Sequence, residues 1–238
     1  MSVPTPDPDL QLPEPERAPR PRRLLEAGVG ASLIAALSSL FLFGWFAEEV
    51  RHGETASFDL AVRNWIHQFA SPAMTRVMTV ISALGYKILI VELVVALAVF
   101  LYLRWRRAAG WLAVTMAGAL ALDLALKYAF HRERPPVFFG TEPGLYSFPS
   151  GHALCSFCFY GIMAGLIGAR VRSPALRIAV WALAALLVIA IGVSRVYLGM
   201  HYLSDVLGGY LAAAVWVSAL LFLDRWRVNR RKLADRRS

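Results

Sequence analysis

Six long apolar segments, near residues 25–46, 87–103, 110–130, 152–168, 175–193 and 203–223, dominate this chain of 238 residues. Each approaches or reaches the twenty or so residues that cross a bilayer as a helix. In lipid the backbone must satisfy its own hydrogen bonds, so isolated runs of this length are helical. The chain is 58% hydrophobic, 17% charged and has a mean hydropathy of +0.52, which excludes a soluble globule. The expected fold is all-α, a bundle of six transmembrane helices. A further apolar stretch, 72–84, is short and contains Arg76. It reads as a re-entrant or interfacial helix leading up to Gly85.

The net charge of +9 would by itself admit a nucleic-acid partner, but in a membrane protein the placement of the cations carries more information than their sum. With six spans both termini share a side. That side collects Arg17, Arg20, Arg22 and Arg23, then Arg104, Arg106 and Arg107, then Arg170, Arg172 and Arg177, and a basic tail from Arg225 to Arg237. These are 17 of the 25 Lys and Arg residues, so this side is expected in the cytoplasm and no nucleic-acid partner is expected. Residues 1–23 hold seven of the 13 prolines and read as a disordered tail. The expected organisation is that tail, a membrane domain over 24–224 and a basic tail over 225–238. The apolar run starting near Leu24 is read as an uncleaved signal anchor. Cys155 and Cys158 fall inside an apolar segment and read as small buried hydrophobes, not a redox pair.

The other cations include four that gather where three outward-facing helix ends converge. The stretch "KYAFHRERP" carries Lys127, Arg132, Arg134 and Pro135; "PSGH" carries Ser150, Gly151 and His152; "SRVYLGMHYLSD" carries Arg195, His201 and Asp205. Lys127, Arg134 and Arg195 are built for an anion: arginine offers a planar fork to two phosphate oxygens, lysine a point charge. Ser150 is a good N-cap, and Gly151 opens a helix whose free N–H groups favour phosphate. His201 and Asp205 are four apart, so they share a face if the last helix begins near Gly199. The carboxylate would then fix the imidazole tautomer and leave Nε2 free to attack. His152 would protonate the leaving oxygen, and the cations would stabilise charge on a five-coordinate phosphorus.

The combination K-x6-R-P, P-S-G-H and S-R-x5-H-x3-D resembles the three-part signature of the type-2 phosphatidic acid phosphatase superfamily, shared with bacterial acid phosphatases and vanadium haloperoxidases. All three motifs are complete and in order, between residues 127 and 205. The resemblance implies a helical-bundle core and a phosphohistidine on His201, with Asp205 orienting it and His152 as general acid. It also implies phosphate binding by Lys127, Arg134, Ser150, Gly151 and Arg195, with no cofactor or metal. The expected activity is lipid phosphatase, on isoprenyl (undecaprenyl) pyrophosphate, phosphatidic acid or phosphatidylglycerol phosphate. The short polar termini resemble those of a bacterial inner-membrane protein, with the site facing outward.

Other readings stand beside this one. A transferase would pass the same phosphoryl group to an acceptor other than water; a transporter would not need both histidines with Asp205. Zinc on His152, His201, Asp205 and His131 is opposed by the adjacent cations, and Ser150 lacks a nucleophile-elbow pattern. His131 and Arg132 read as loop residues at the membrane interface. Asp123, one turn before Lys127, either offsets the cost of burying that lysine or aims its ammonium at phosphate. Residues 58–70 read as an amphipathic helix on the outer interface. Phe138, Phe139 and Tyr146 are expected to shape the pocket.

Overall fold

The computed structural model describes residues 21–139 and 146–234, and their side chains over 28–139 and 146–230. Of the tail expected over residues 1–23, residues 1–20 lie outside that range, as do the last four residues, while residues 21–23 begin a helix. Eight helices account for almost all of the described chain: α1 Pro21–His52, α2 Ala56–His67, α3 Pro72–Leu84, α4 Lys87–Tyr102, α5 Arg106–Phe130, α6 Gly151–Gly168, α7 Pro174–Tyr197 and α8 Leu203–Ala234. Among the described residues, six helical units are long and apolar enough to cross a membrane.

One of these units is Pro72–Tyr102, 31 residues that join α3 and α4. The stretch 72–84 is therefore no separate re-entrant element; only Gly85 and Tyr86 interrupt the two helices. The start of α3 is fixed locally, with Pro72 in the first turn and the Ser71 hydroxyl accepting from the Met74 N–H at 3.2 Å. α7 begins the same way, on Ser173 and Pro174. α5 ends at His131, whose left-handed backbone (φ 49°) closes the last turn and redirects the chain toward Arg132 and Arg134.

The helix α6 packs against α5, α7 and α8, while α1 lies along α8 and α3 along α7. The core they enclose includes Leu112, Leu154, Cys158, Ile191 and Ala213, all fully buried. The outward surface is apolar too: Ile34, Phe41, Val80, Ile178 and Leu186 are more than 60% exposed. Apolar atoms on both the inside and the outside match a bundle solvated by lipid. Some polar side chains between the helices bond to carbonyls of neighbouring helices. Trp216 donates to the Thr115 carbonyl at 3.0 Å and Tyr210 to the Val188 carbonyl at 2.7 Å.

The two ends of the bundle differ in charge. At one end Arg107 pairs with Asp224 at 2.8 Å and Arg170 lies over the Trp105 ring at 3.7 Å. The arginine clusters of the two short connections and of α8 therefore share this end. The three motifs lie at the other, and α2 lies across that end against α7 and α8. The helicity of α2 agrees with its sequence pattern, but its orientation is the reverse of a simple surface helix. Phe58, Leu60, Trp65 and Phe69 face outward, each about half exposed, while Asp59 is fully buried and Arg63 nearly so.

Candidate active site

His201 lies in the turn between α7 and α8, not within the last helix, which starts at Leu203 instead of near Gly199. Gly199 makes that turn possible. Its φ is +73°, and a Cβ there would stand 2.7 Å from the Phe138 nitrogen. Asp205 still reaches back one turn, with Oδ2 3.5 Å from His201 Nδ1. The same oxygen accepts a short hydrogen bond from the Ser147 hydroxyl and one from the Tyr202 N–H at 2.8 Å. On the other side of the ring, Arg134 Nη1 lies 3.1 Å from His201 Nε2. A guanidinium only donates, so Nε2 is the acceptor and the ring proton belongs on Nδ1, toward Asp205 and Ser147. Burial pulls the His201 imidazole from its ordinary 6.5 to about 3, with Asp205 pulling the other way. The ring is therefore neutral at pH 7.

Asp205 is itself fully buried and has a second set of partners. Arg132 donates to its Oδ1 at 2.6 Å and, through the other arm of the fork, to Asp59 Oδ2 at 2.9 Å. Asp59 in turn accepts from the Ser204 N–H at 2.9 Å and from the Ser204 hydroxyl at 2.5 Å. Arg132 thus lies between two carboxylates. Burial opposes its charge, but Asp205 and Asp59 hold its guanidinium above the usual arginine value. It is a loop residue, as expected, but it is engaged with the centre of the site and not with the membrane interface.

A cavity of about 690 Å³ opens beside His201. Of the nine residues singled out in the sequence, its wall contains all but Ser150 and Asp205. Lys127 comes from α5, donating to the Pro149 carbonyl at 3.1 Å and making a short contact with Asp123. Asp123 presses on the start of α6: its Oδ2 is 2.8 Å from the place a Cβ on Gly151 would occupy. Arg195 is anchored through Nη1 to the Ser82 hydroxyl at 2.7 Å, and its buried Nε has no partner among the described residues. His152 occupies the first turn of α6 and stacks on Tyr86, which the break between α3 and α4 turns toward it. Leu120, Leu124 and Tyr86, all exposed on the flank of the bundle, also line this cavity, so it opens toward the lipid-facing side.

Ser150 stands at the N-cap position of α6, but its side chain makes no capping bond. Its hydroxyl is buried without a partner among the described residues, while its backbone N–H donates to the Asp205 carbonyl at 2.9 Å. Of the three aromatic residues expected to shape the pocket, only Phe139 lines it. Phe138 instead stacks on His67, with ring centroids 3.8 Å apart and the Arg63 guanidinium over it. Tyr146 packs against Tyr128 and His131, and its carbonyl accepts from Arg134 at 3.1 Å. Cys155 and Cys158 are both free thiols. Among the described residues, no group of three His, Cys, Asp or Glu side chains is arranged to hold a metal ion.

Sequence reasoning missed Ser147, Ser204, Ser82, Tyr86 and Asp59. Asp59 carried a usable signal, because it shares with Arg63 one face of a helix whose other face is aromatic. The serines carried none.

Comparison with known proteins agrees with this architecture. Residues 108–229, just over half of the chain, match the sequence profile of the PAP2 superfamily. The chain belongs to the PAP2 superfamily. Phosphatidylglycerophosphatase B of Bacillus subtilis is 30% identical to it over 177 residues, spanning 72% of this chain and 86% of that protein. A lipid A 1-phosphatase of Rhizobium johnstonii is 34% identical over 146 residues, 57% of this chain and 54% of that one. The crystal structure of a transmembrane PAP2-type phosphatidylglycerolphosphate phosphatase from Bacillus subtilis superimposes with a TM-score of 0.70 at 26% identity. The match covers 82% of this chain and 96% of that one. This PAP2 protein is accordingly a multi-pass membrane protein and a phosphoric ester hydrolase of the lipid phosphatase type. The profile begins at residue 108, so α1 to α4, including Asp59, Ser82 and Tyr86, lie outside the matched region.

Proposed function

We propose that the protein removes a phosphoryl group from a membrane lipid through a covalent intermediate on His201. The carrying observation is the position of His201 between Asp205 and Arg134, at the wall of a cavity that also holds His152, Lys127 and Arg195. The phosphate of the lipid displaces Arg134 from Nε2 and takes its guanidinium as a partner. Nε2 then attacks phosphorus, the P–O bond to the lipid breaks, and His152 gives its proton to the departing oxygen. Lys127, Arg134 and Arg195 hold the equatorial oxygens, with the Ser150 hydroxyl and the first N–H groups of α6. In the second half a water gives a proton to His152 and attacks phosphorus. Inorganic phosphate leaves, and the His201 ring is regenerated. Asp205 keeps the Nδ1 proton in place throughout.

The opening past Leu120 and Leu124 suits a substrate whose tails stay in the bilayer while its head reaches the histidines. Phosphatidylglycerol phosphate is the first candidate, because the relative sharing most of its length with this chain is named for it. Phosphatidic acid, isoprenyl pyrophosphate and lipid A 1-phosphate are the others. The arginine-rich end lies in the cytoplasm with both termini, and the site faces the exterior of a bacterial inner membrane. The test is phosphate release by detergent-purified protein, with a chelator present, from phosphatidylglycerol phosphate, phosphatidic acid and undecaprenyl pyrophosphate. Turnover of one lipid that is lost in His201→Ala is the expected result. Turnover surviving in His201→Ala, or phosphoryl appearing on an acceptor other than water, would overturn it.

A further inference from the structure

Asp59, fully buried, and Arg132, partly buried, are charges that the reaction just described does not use. A carboxylate with no exposed surface on a peripheral helix is costly unless its oxygens are filled, and those of Asp59 are filled by the Thr55 hydroxyl at 3.1 Å, one turn before it, and from two further elements. The Ser204 N–H and hydroxyl bind it from α8, at 2.9 and 2.5 Å, and Arg132 binds it at 2.9 Å. Arg132 joins the loop after α5 to Asp205 at 2.6 Å. The fork is planar and rigid, so a carboxylate at one arm fixes where the other points. Asp59, together with the Ser204 hydroxyl that accepts at 2.7 Å from the same Arg132 arm as Asp205, therefore helps determine how Arg132 meets the oxygen of Asp205 that does not face His201.

We propose that Asp59, acting through Arg132, positions Asp205 and moderates its hold on the His201 ring. The chain Asp59–Arg132–Asp205–His201 alternates in sign up to the imidazole. This proposal rests on the reading of His201 as the nucleophile. Both are positioning residues: neither lines the cavity. The other charged or titratable groups facing His201 are Arg134 from the loop, Arg195 from α7, Lys127 and Asp123 from α5 and His152 from α6. All of them remain in the variants below.

Opposite signs make the test specific. Without the negative charge of Asp59, Arg132 acts on Asp205 alone and the imidazolium is less stabilised, so the acid limb of kcat moves to lower pH. Without the positive charge of Arg132, Asp205 acts undiminished on His201 and the limb moves to higher pH. The limb is read on kcat because that reports the substrate complex, where phosphate oxygens beside the ring raise its working range. Phosphate release is measured against pH for wild type, Asp59→Asn, Asp59→Glu and Arg132→Gln, at matched folded protein. The expected result is a fall in kcat of about tenfold for Asp59→Asn with KM little changed, partial recovery in Asp59→Glu, and limb shifts of opposite direction, each roughly half a pH unit or more. Limbs that stay in place, or move together, would overturn the proposal and leave only a structural role. Should Asp59→Asn not fold, Arg132→Gln carries the test by itself, since an unshifted limb there is equally fatal. Activity surviving in His201→Ala would instead remove the reading on which the proposal rests.

Discussion

Tyr86 stacks on His152, with ring centroids 5.5 Å apart and planes 28° from parallel. Tyr86 stands in the two-residue break between α3 and α4, and its ring, more than half exposed, covers His152 from the flank of the bundle. A stacked pair is worth about 0.5–1.5 kcal/mol. Tyr86→Ala should therefore lower kcat roughly two- to tenfold by releasing His152, the proposed general acid. Tyr86→Phe keeps the ring and should retain wild-type kcat. Equal losses in both would mean that the hydroxyl, not the stacking, is what His152 needs.

Ser150 separates capping from ligand binding. Its hydroxyl is buried and makes no capping bond. Loss of a true N-cap costs about 0.5–2 kcal/mol of stability. Ser150→Ala should leave the melting temperature in detergent unchanged or slightly higher while raising KM for the lipid. A clear drop in melting temperature with unaltered KM would restore the capping role.

Asp123 presses against Gly151 and pairs with Lys127. In Asp123→Ala the ammonium loses its counter-charge and its fixed direction, and we expect at least a tenfold loss of kcat/KM, or about 1.4 kcal/mol. In Gly151→Ala the added methyl meets that carboxylate, so activity should fall, and the double variant should recover part of the loss. Full activity in Asp123→Ala would show that the pair serves only to lower the cost of burying Lys127.

His201 gives a pH dependence of stability with a definite sign. Its folded value of about 3 lies below the ordinary 6.5, so between those pH values the unfolded chain carries a proton that the folded one does not. Stability is then lost as pH falls from 6.5 toward 3, by up to about 1.4 kcal/mol per unit from this group. Melting curves at pH 7 and pH 4.5 should show a smaller acid loss in His201→Gln than in wild type. Identical losses would place the acid sensitivity elsewhere.

Much of this arrangement was legible in the amino-acid order. Apolar segment length sets the six spans, and the arginine clusters set which ends lie together. Motif spacing brings seven of the nine chosen residues to one cavity wall. What was not legible depends on contacts distant in sequence. Arg132 looked like an ordinary loop cation because its partners are 73 residues away on either side. Arg76, exposed and apparently out of place, made 72–84 look separate from the helix it precedes. The last helix starts four residues later than expected, because Gly199 opens a turn where a continuous helix was assumed.

The inward face of α2 also bears on the order in which the chain is made. Asp59 emerges early, yet its arginine partner is synthesised 73 residues later and its serine partner 145 residues later. The proposed nucleophile, His201, lies at the threshold of the last span. A nascent chain halted before residue 201 can therefore pair Asp59 with Arg132 but lacks the two Ser204 bonds, and it lacks His201 and Asp205 altogether. The turn before the final helix and its first residues supply His201, Asp205 and the last two partners of Asp59, so completed assembly and chemical competence arrive together.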